Sequence, residues 1–438
     1  MKMLYDTIAE YISGDWGEES RSPTSTQPAF CIRAADVVPI EANDFSTIPE
    51  RFVSSSSFSQ RQLREGDIVI EKSGGSPTQS TGRVVYISKP LLIAKQNVIC
   101  SNFCTAIRLK PNWNPYFVYQ YWRHIYNSGV FFNYEGKTSG LKNLQLEVAL
   151  KSIPIPDIDL PAQLRIAGVL GSLDEKIALN RKKIAELEAL SKTIYDYWFV
   201  QFDFPDKNGK PYKSSGGKMV WNDQLKREVP DGWEVTQIGK HIKSNRGVSY
   251  STKNISSGRG IPMINLNSFN VASTYKVAGI KTFEGEVPNS KLLKPFDLVM
   301  CNTQQTDLDP KKDIIGKSFL VPDIFNSDIT SSHHVTTIHV DDDVLKVFLN
   351  ALFHTNEFHA YISGFASGTS IRGLDFFGVE SCYVVMPPKP LLSKFAQLVM
   401  ACEKQKSIVL RDQSLLQPLR DYLLPLLMNG QVTIGDLK

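Results

Sequence analysis

The chain repeats itself, and no other feature constrains its fold as strongly. Gln62-Leu63-Arg64-Glu65-Gly66-Asp67-Ile68-Val69-Ile70 matches Leu292-Leu293-Lys294-Pro295-Phe296-Asp297-Leu298-Val299-Met300 at an offset of 230. Val98-Ile99-Cys100-Ser101 with Thr105-Ala106-Ile107 matches Ile329-Thr330-Ser331-Ser332 with Thr336-Thr337-Ile338 at an offset of 231. Lys137-Thr138-Ser139-Gly140-Leu141-Lys142 matches Gly368-Thr369-Ser370-Ile371-Arg372 once one gap is allowed, and Ile8 and Ile12 match Ile238 and Ile242 at 230. One near-constant offset implies a single module of roughly 150 residues, used twice and each time followed by a helical segment.

Within each module, apolar runs such as Ile68-Val69-Ile70, Val84-Val85-Tyr86-Ile87 and Thr336-Thr337-Ile338-His339-Val340 predict strands. A short helix is expected over Pro115–Ile125, with its partner over Val344–His354. Strand and helix do not alternate regularly, so the expected class is α+β rather than doubly wound.

The segments after the modules carry a three-four rhythm of apolar residues. In the first it runs through Ile166, Leu170, Leu173, Ile177, Asn180, Ile184 and Leu187 towards Trp198. In the second it runs through Phe395, Leu398, Cys402, Gln405, Val409, Asp412, Leu416, Leu419, Leu423 and Leu426, with Pro418 expected to kink or interrupt it and Pro425 and Gly430 to end it. Each helix could pack on its own module. Two seams at equivalent positions favour helices that pack on each other, and in one chain with two modules that pairing is antiparallel. A helix from Pro161 to Phe199 would be about 58 Å long. The expected architecture is two similar α+β domains joined by an antiparallel coiled coil with an approximate twofold. The expected boundaries are domain 1 at 1–159, a spacer helix at 160–200, a connector at 201–233, domain 2 at 234–388, a C-terminal helix at 389–428 and a tail at 429–438.

Charge and cysteine content narrow the function classes. Lys and Arg total 49 against 45 Asp and Glu, a net charge of +4. That excludes a histone-like basic protein and an acidic disordered one, but not a nucleic-acid binder with charge held in patches. The N-terminus lacks the apolar stretch of a signal peptide, and no run reaches the ~18 apolar residues of a membrane span. The six cysteines are scattered without zinc spacing. A cytoplasmic protein with reduced thiols, no bound metal and no membrane partner is expected.

The motifs at the module ends carry a resemblance. Ile153-Pro154-Ile155-Pro156, Leu160-Pro161-Ala162-Gln163 and Leu173-Asp174-Glu175-Lys176-Ile177 resemble the specificity (S) subunit of type I restriction–modification systems. So do the connector pieces Phe202-Asp203-Phe204-Pro205, Lys210-Pro211-Tyr212-Lys213 and Val229-Pro230-Asp231-Gly232-Trp233, and the ending Val384-Val385-Met386-Pro387-Pro388. The resemblance covers nearly the whole chain, and the connector is its most specific part. It implies two target recognition domains, each reading half of a split, non-palindromic sequence in double-stranded DNA, with the coiled coil setting their separation. It also implies a non-catalytic subunit that docks two methyltransferase (M) subunits and, for cleavage, restriction (R) subunits. S-adenosylmethionine would belong to the former, and ATP with Mg²⁺ to the latter.

Polar segments present in both copies are the candidate DNA contacts. Lys72, Ser73 and Gly74 correspond to Asn302, Thr303 and Gln304; Asn and Gln can bond adenine in bidentate fashion, while Lys, Ser and backbone N–H groups suit phosphates. Lys137, Thr138, Ser139 and Lys142 correspond to Thr369, Ser370 and Arg372, hydroxyls plus one cation at similar spacing. Arg246 with Tyr250, Lys311-Lys312 and His333-His334 are weaker candidates, each as readily a solvated or structural group. No catalytic residue is assigned. Asn114-Pro115-Tyr116-Phe117 lacks the second proline of an adenine-methyltransferase motif, and Asp67, Glu71 and Lys72 have no matching carboxylates in the second copy beyond Asp297. A coiled-coil scaffold without DNA readout is the alternative from another class.

Overall fold

The computed structural model describes residues 2–74, 78–138, 141–256, 258, 260–271, 275–305, 313–432 and 434–435. It divides into two compact units: residues 1–181 with 415–438, and residues 182–414.

The first unit is built on a four-stranded antiparallel sheet in the order Ile8–Ser13, Cys104–Leu109, Ile68–Glu71, Val84–Tyr86. Its inner strand Ile68–Glu71 is buried at every residue because both faces are covered, while the edge strand Ile8–Ser13 is largely exposed. Ile68, Ile70, Val84 and Ile107 face one core, which holds Phe117, Trp122 and Phe131. Val69, Val85 and Ala106 face a second core with Ile32, Leu91 and Val98. The helix Pro115–Asn127 covers the first face; it begins where the Asn114 side chain accepts from the Phe117 N–H at 2.9 Å, with proline in the first turn. On the other side lies a mixed sheet in which Gln27–Ile32 runs parallel to Val98–Cys100 and antiparallel to Glu50–Val53. Two buried carboxylates at the sheet pair with partly exposed arginines: Asp67 with Arg108, and Glu71 with Arg83. Asp67 and Glu71, which have no full counterpart in the second copy, are thus committed to arginines.

The second unit repeats this plan. Its sheet runs Ile242–Arg246, Val335–Val340, Leu298–Cys301, Ser318–Leu320. Leu298, Met300 and Ile338 face a core with Phe348, while Val299, Cys301 and Phe319 face another. The helix Asp343–Phe353 takes the place of Pro115–Asn127, and Ile261–Ile264 runs parallel to Ile329–Ser331. The strand registers correct one part of the repeat. Ile8 pairs with Leu109, and Ile242 pairs with Val340. Leu109 and Val340 are equivalent at offset 231, so Ile8 corresponds to Ile242 and not to Ile238. The offset at this strand is therefore 234, falling to 233 past the β-bulge between Ile8 and Glu10, so it departs from the 230–231 of the other blocks.

The long helices are Leu160–Tyr195, followed by a π-helical turn at Asp196–Val200, and Lys389–Met428. In the first unit, Ile166, Ala167 and Leu170 share a core with Leu424, Leu427 and Met428, so the start of one helix meets the end of the other. In the second unit, Tyr195, Trp198 and Phe199 share a core with Leu392, Phe395, Ala396 and Val399. The helices therefore pair antiparallel in each unit, and each also packs on the lobe it follows. In the first helix Ile166, Leu170, Ile177 and Asn180 are buried and Leu173, Ile184 and Leu187 half-buried. The second helix departs from expectation. Leu398 and Leu419 are 46% and 45% exposed, while Leu416 and Leu423 are half-buried. Its buried stripe runs Phe395, Val399, Cys402, Lys406, Val409, Leu410. Lys406 occupies a core position because its ammonium lies 2.8 Å from Glu403 and 3.6 Å from Glu188. The helix also continues through Pro418 and Pro425. Pro418 lies on an exposed face, where water can take up the backbone group it leaves unpaired. Gly430, at φ +68°, sits just past the helix end.

The connector is ordered and belongs to the second unit. Phe204 stacks on Tyr212 at 4.6 Å and on Trp233 at 5.0 Å, and Asp203 accepts from the N–H and hydroxyl of Ser214. No helix among the described residues is long and apolar enough to cross a membrane.

One half-buried histidine is expected to give this unit a pH dependence. His354 donates from Nε2 to the Ser318 carbonyl at 2.9 Å. Burial, with Lys406 and Lys317 adding to it, pushes its pKa down from 6.5 to about 4. As pH falls from 6.5, the unfolded chain takes up a proton that the folded unit refuses until about 4, so stability drops across that window. The full loss is at most about 3 kcal/mol. Urea midpoints measured at pH 7 and pH 4.5 should therefore differ more for the wild type than for His354→Gln. Equal differences would show that His354 does not set the slope.

Candidate nucleic-acid interface

Two segments that the sequence places about 70 residues apart meet in each lobe. In the first, Ser73–Gly74 pairs with Leu141–Leu144, which pairs with Glu135–Thr138. Asn143 stands opposite Ser73, and the Ser73 hydroxyl donates to its Oδ1 at 2.5 Å. In the second, Thr303–Gln305 pairs with Ile371–Leu374, which pairs with Ala366–Ser367. Gln304 stands opposite Arg372, as Gly74 stands opposite Lys142. Ser73, Gly74, Lys142, Thr303, Gln304 and Arg372 thus lie on short strands of a small antiparallel sheet in each lobe, while Lys72 and Asn302 precede it and Thr369 and Ser370 lie between two of its strands. The same sheet occurs at the same place in both lobes.

Its polar groups are not equally available. Gly74, at φ +145°, sits where an added Cβ would come 2.5 Å from Glu71 Oε1, so only glycine fits. Lys72 and Ser73 are half-buried, and the Lys72 N–H donates to the Phe103 carbonyl at 2.9 Å. Lys142 is held 2.9 Å from Glu135 with its ammonium over the Phe132 ring. Its charge is thereby partly neutralised, which weakens its case as a phosphate ligand. Ser139, the side chains of Lys137 and Thr138, and Lys311-Lys312 lie outside the described residues.

In the second lobe, Asn302 is fully buried and donates to Thr336 Oγ1 at 2.8 Å and to the His333 carbonyl at 3.3 Å. It organises the site and does not present its amide to a ligand, contrary to its reading as an adenine contact. Gln304 accepts from the Ile314 N–H at 2.5 Å, and Arg372 lies 3.4 Å from Asp313. Thr369 and Ser370 are exposed. Arg246 is exposed at the end of its strand, opposite Thr336. Tyr250 lies 5.6 Å from the His333 ring, and the two histidine rings are 3.9 Å apart. The Thr303 hydroxyl is 2.7 Å from His334 Nδ1. Tyr250, both histidines and Thr303 thus form one connected surface. Burial, His333 and Lys281 lower the His334 pKa, so its imidazole is neutral near pH 7.

Burial pushes the thiols of Cys31 and Cys301 up to about 12 and that of Cys104 to about 11. Asn114, from the methyltransferase-like tetrapeptide, is a helix cap. Among the described residues, no group of three or more His, Cys, Asp or Glu side chains is placed to hold a metal ion. Sequence reasoning overlooked Asn143 and Phe103. Asn143 lay one residue beyond the matched block, and Phe103 lay in a turn between matched strands, where the repeat is not conserved in residue type.

Fold and surface together define a tandem protein in which one α+β lobe, with the same small polar sheet, occurs twice. Residues 54–189 match the family model "Type I restriction modification DNA specificity domain". The chain is 25% identical over 292 residues to the type I restriction enzyme MjaIX specificity subunit of Methanocaldococcus jannaschii, covering 66% of this chain. That alignment spans 62% of the relative's length, less than two thirds of it. It is 24% identical over 326 residues to the HindI specificity subunit of Haemophilus influenzae, covering 65% of this chain and 70% of the relative. The fold is similar to the crystal structure of a type I restriction–modification S subunit from M. genitalium, with a TM-score of 0.60 at 12% identity, over 100% of this chain and 96% of that one. Residues 54–189 thus carry a match to the type I DNA specificity domain, and about two thirds of the chain is similar to specificity subunits of type I restriction–modification systems.

Proposed function

We propose that the chain is the DNA-recognition subunit of a type I restriction–modification complex, with residues 1–159 reading one half of a split target and residues 234–388 the other. The observation that carries this reading is the small polar sheet repeated in both lobes with equivalent registers. Equivalent scaffolds with different side chains suit a bipartite, non-palindromic sequence, because groove edges are read by side-chain identity. The long helices, 160–200 and 389–428, are the docking surface for two methyltransferase subunits, and restriction subunits join them for cleavage. The chain itself is non-catalytic: S-adenosylmethionine is held by the methyltransferase, and ATP with Mg²⁺ by the restriction subunit. Most phosphate contacts then fall to exposed groups such as Arg246, Thr369 and Ser370 and to partner surfaces, which fits a net charge of only +4.

Co-expression with the cognate methyltransferase, followed by genome-wide mapping of N6-methyladenine, tests this. The expected result is a split motif that vanishes without this chain. Exchanging residues 234–388 for those of another S subunit should change one half-site and leave the other intact. Loss of no motif on removing the chain would point to a scaffold instead.

A further inference from the structure

We propose that the two-residue turns Asn102-Phe103 and His333-His334 are base-probing elements that give the two lobes different specificities, Phe103 by apolar contact and His334 by hydrogen bonding. This rests on the DNA-recognition reading above and names residues for it.

The turns are equivalent by register. Cys104 pairs with Glu71 and Val335 with Cys301, so the residues just before them, Phe103 and His334, occupy one position in two lobes. Each is clamped by its carbonyl to the strand that leads into the small sheet: Lys72 N–H to Phe103 at 2.9 Å, and Asn302 N–H to His334 at 3.0 Å. Backbone atoms thus fix the turn and leave the side chain free to vary. A single exposed phenylalanine means little alone. Phe103, at 53% exposed, gains meaning because its counterpart is the imidazole at the centre of the Tyr250 and Thr303 surface.

The chemistry differs accordingly. A phenyl ring beside a groove can contact a thymine methyl group but cannot satisfy a donor or acceptor. His334 has Nδ1 beside the Thr303 hydroxyl, while Nε2 makes no hydrogen bond among the described residues. When Thr303 donates to Nδ1, Nε2 carries the proton and offers it to a purine N7 or guanine O6. A tilted contact with the His333 ring, 3.9 Å between centroids, holds the ring in place.

Methylation maps of cells expressing Phe103→His, Phe103→Ala and His334→Phe, each with the cognate methyltransferase, test the assignment. Phe103 variants should change relative occupancy at one or two positions of one half-site by on the order of tenfold to a hundredfold. His334→Phe should do the same in the other half-site. An unchanged motif in all three variants overturns the proposal, as does loss of both half-sites together from any one of them. A wild-type chain that yields no split motif would instead count against the DNA-recognition reading, so the two failures are distinct.

Discussion

Phe395→Ala is expected to destabilise the second unit by about 3–5 kcal/mol. Phe395 is fully buried on the second long helix. Its ring centroid lies 4.9 Å from Phe199, 6.1 Å from Tyr195, 6.1 Å from Trp198 and 6.4 Å from Phe348. Truncation removes the transfer free energy of the ring, leaves a cavity among large side chains that cannot collapse into it, and deletes aromatic pairs worth roughly 0.5–1.5 kcal/mol each. It also strikes where the end of one long helix, the start of the other and the lobe helix Asp343–Phe353 meet. Phe395→Leu keeps most of the volume and should cost less than half as much. Urea unfolding followed by tryptophan fluorescence reports directly, since Trp198 and Trp233 both neighbour this cluster. A loss below about 1 kcal/mol for the alanine variant would mean that the site repacks, and that this cluster does not bind the helices to the lobe.

The cluster also shows what could be read from the chain. The duplicated lobe, both capped lobe helices and the first helical stripe were legible because each depends on local pattern: β-branched runs, an Asn-Pro or Asp start, a three-four rhythm. In the second stripe Phe395, Cys402 and Val409 are buried as read, but the position between Cys402 and Val409 was misplaced because a lysine scores as surface wherever it stands. Only the structure shows that Glu403 and Glu188 let Lys406 replace Gln405 in the buried position. The candidate surface failed in the same direction. Asn302 and Lys142 have the side chains of ligand contacts, yet one is spent on Thr336 and the other on Glu135. Hydrogen-bond partners distant in sequence decide whether a polar residue is available, and periodicity carries no record of them. Phe103 was passed over because a phenylalanine carries no polar signal, yet this one is exposed.

Asp174 has the second-largest expected effect, and it explains one motif physically. In Leu173-Asp174-Glu175-Lys176-Ile177 its neighbours Leu173 and Ile177 belong to the apolar stripe, while Asp174 points a carboxylate into a polar junction within the first unit. One oxygen accepts from the Tyr116 hydroxyl at 2.7 Å and the Gln120 amide at 2.6 Å, and the other from Arg420 at 3.0 Å. Arg123 lies 3.7 Å away. One side chain thus ties together the lobe helix Pro115–Asn127, the first long helix and the second. Asp174→Ala would leave two half-buried arginines without this counter-charge and two polar groups without an acceptor, at an expected cost of about 3 kcal/mol. Arg420 would keep Asp421, and Arg123 would keep Glu41, which limits the loss. Asp174→Asn retains the shape and one acceptor oxygen, so it should fall between alanine and wild type. Hydrogen exchange should quicken across residues 415–428 in the alanine variant, because Arg420 is the polar anchor of that stretch. A double-mutant cycle with Arg420→Ala should give a coupling of at least about 1 kcal/mol. Additive losses would mean that the contact between Asp174 and Arg420 does not hold the two helices together, and that Asp174 serves only to orient the lobe helix through Tyr116 and Gln120.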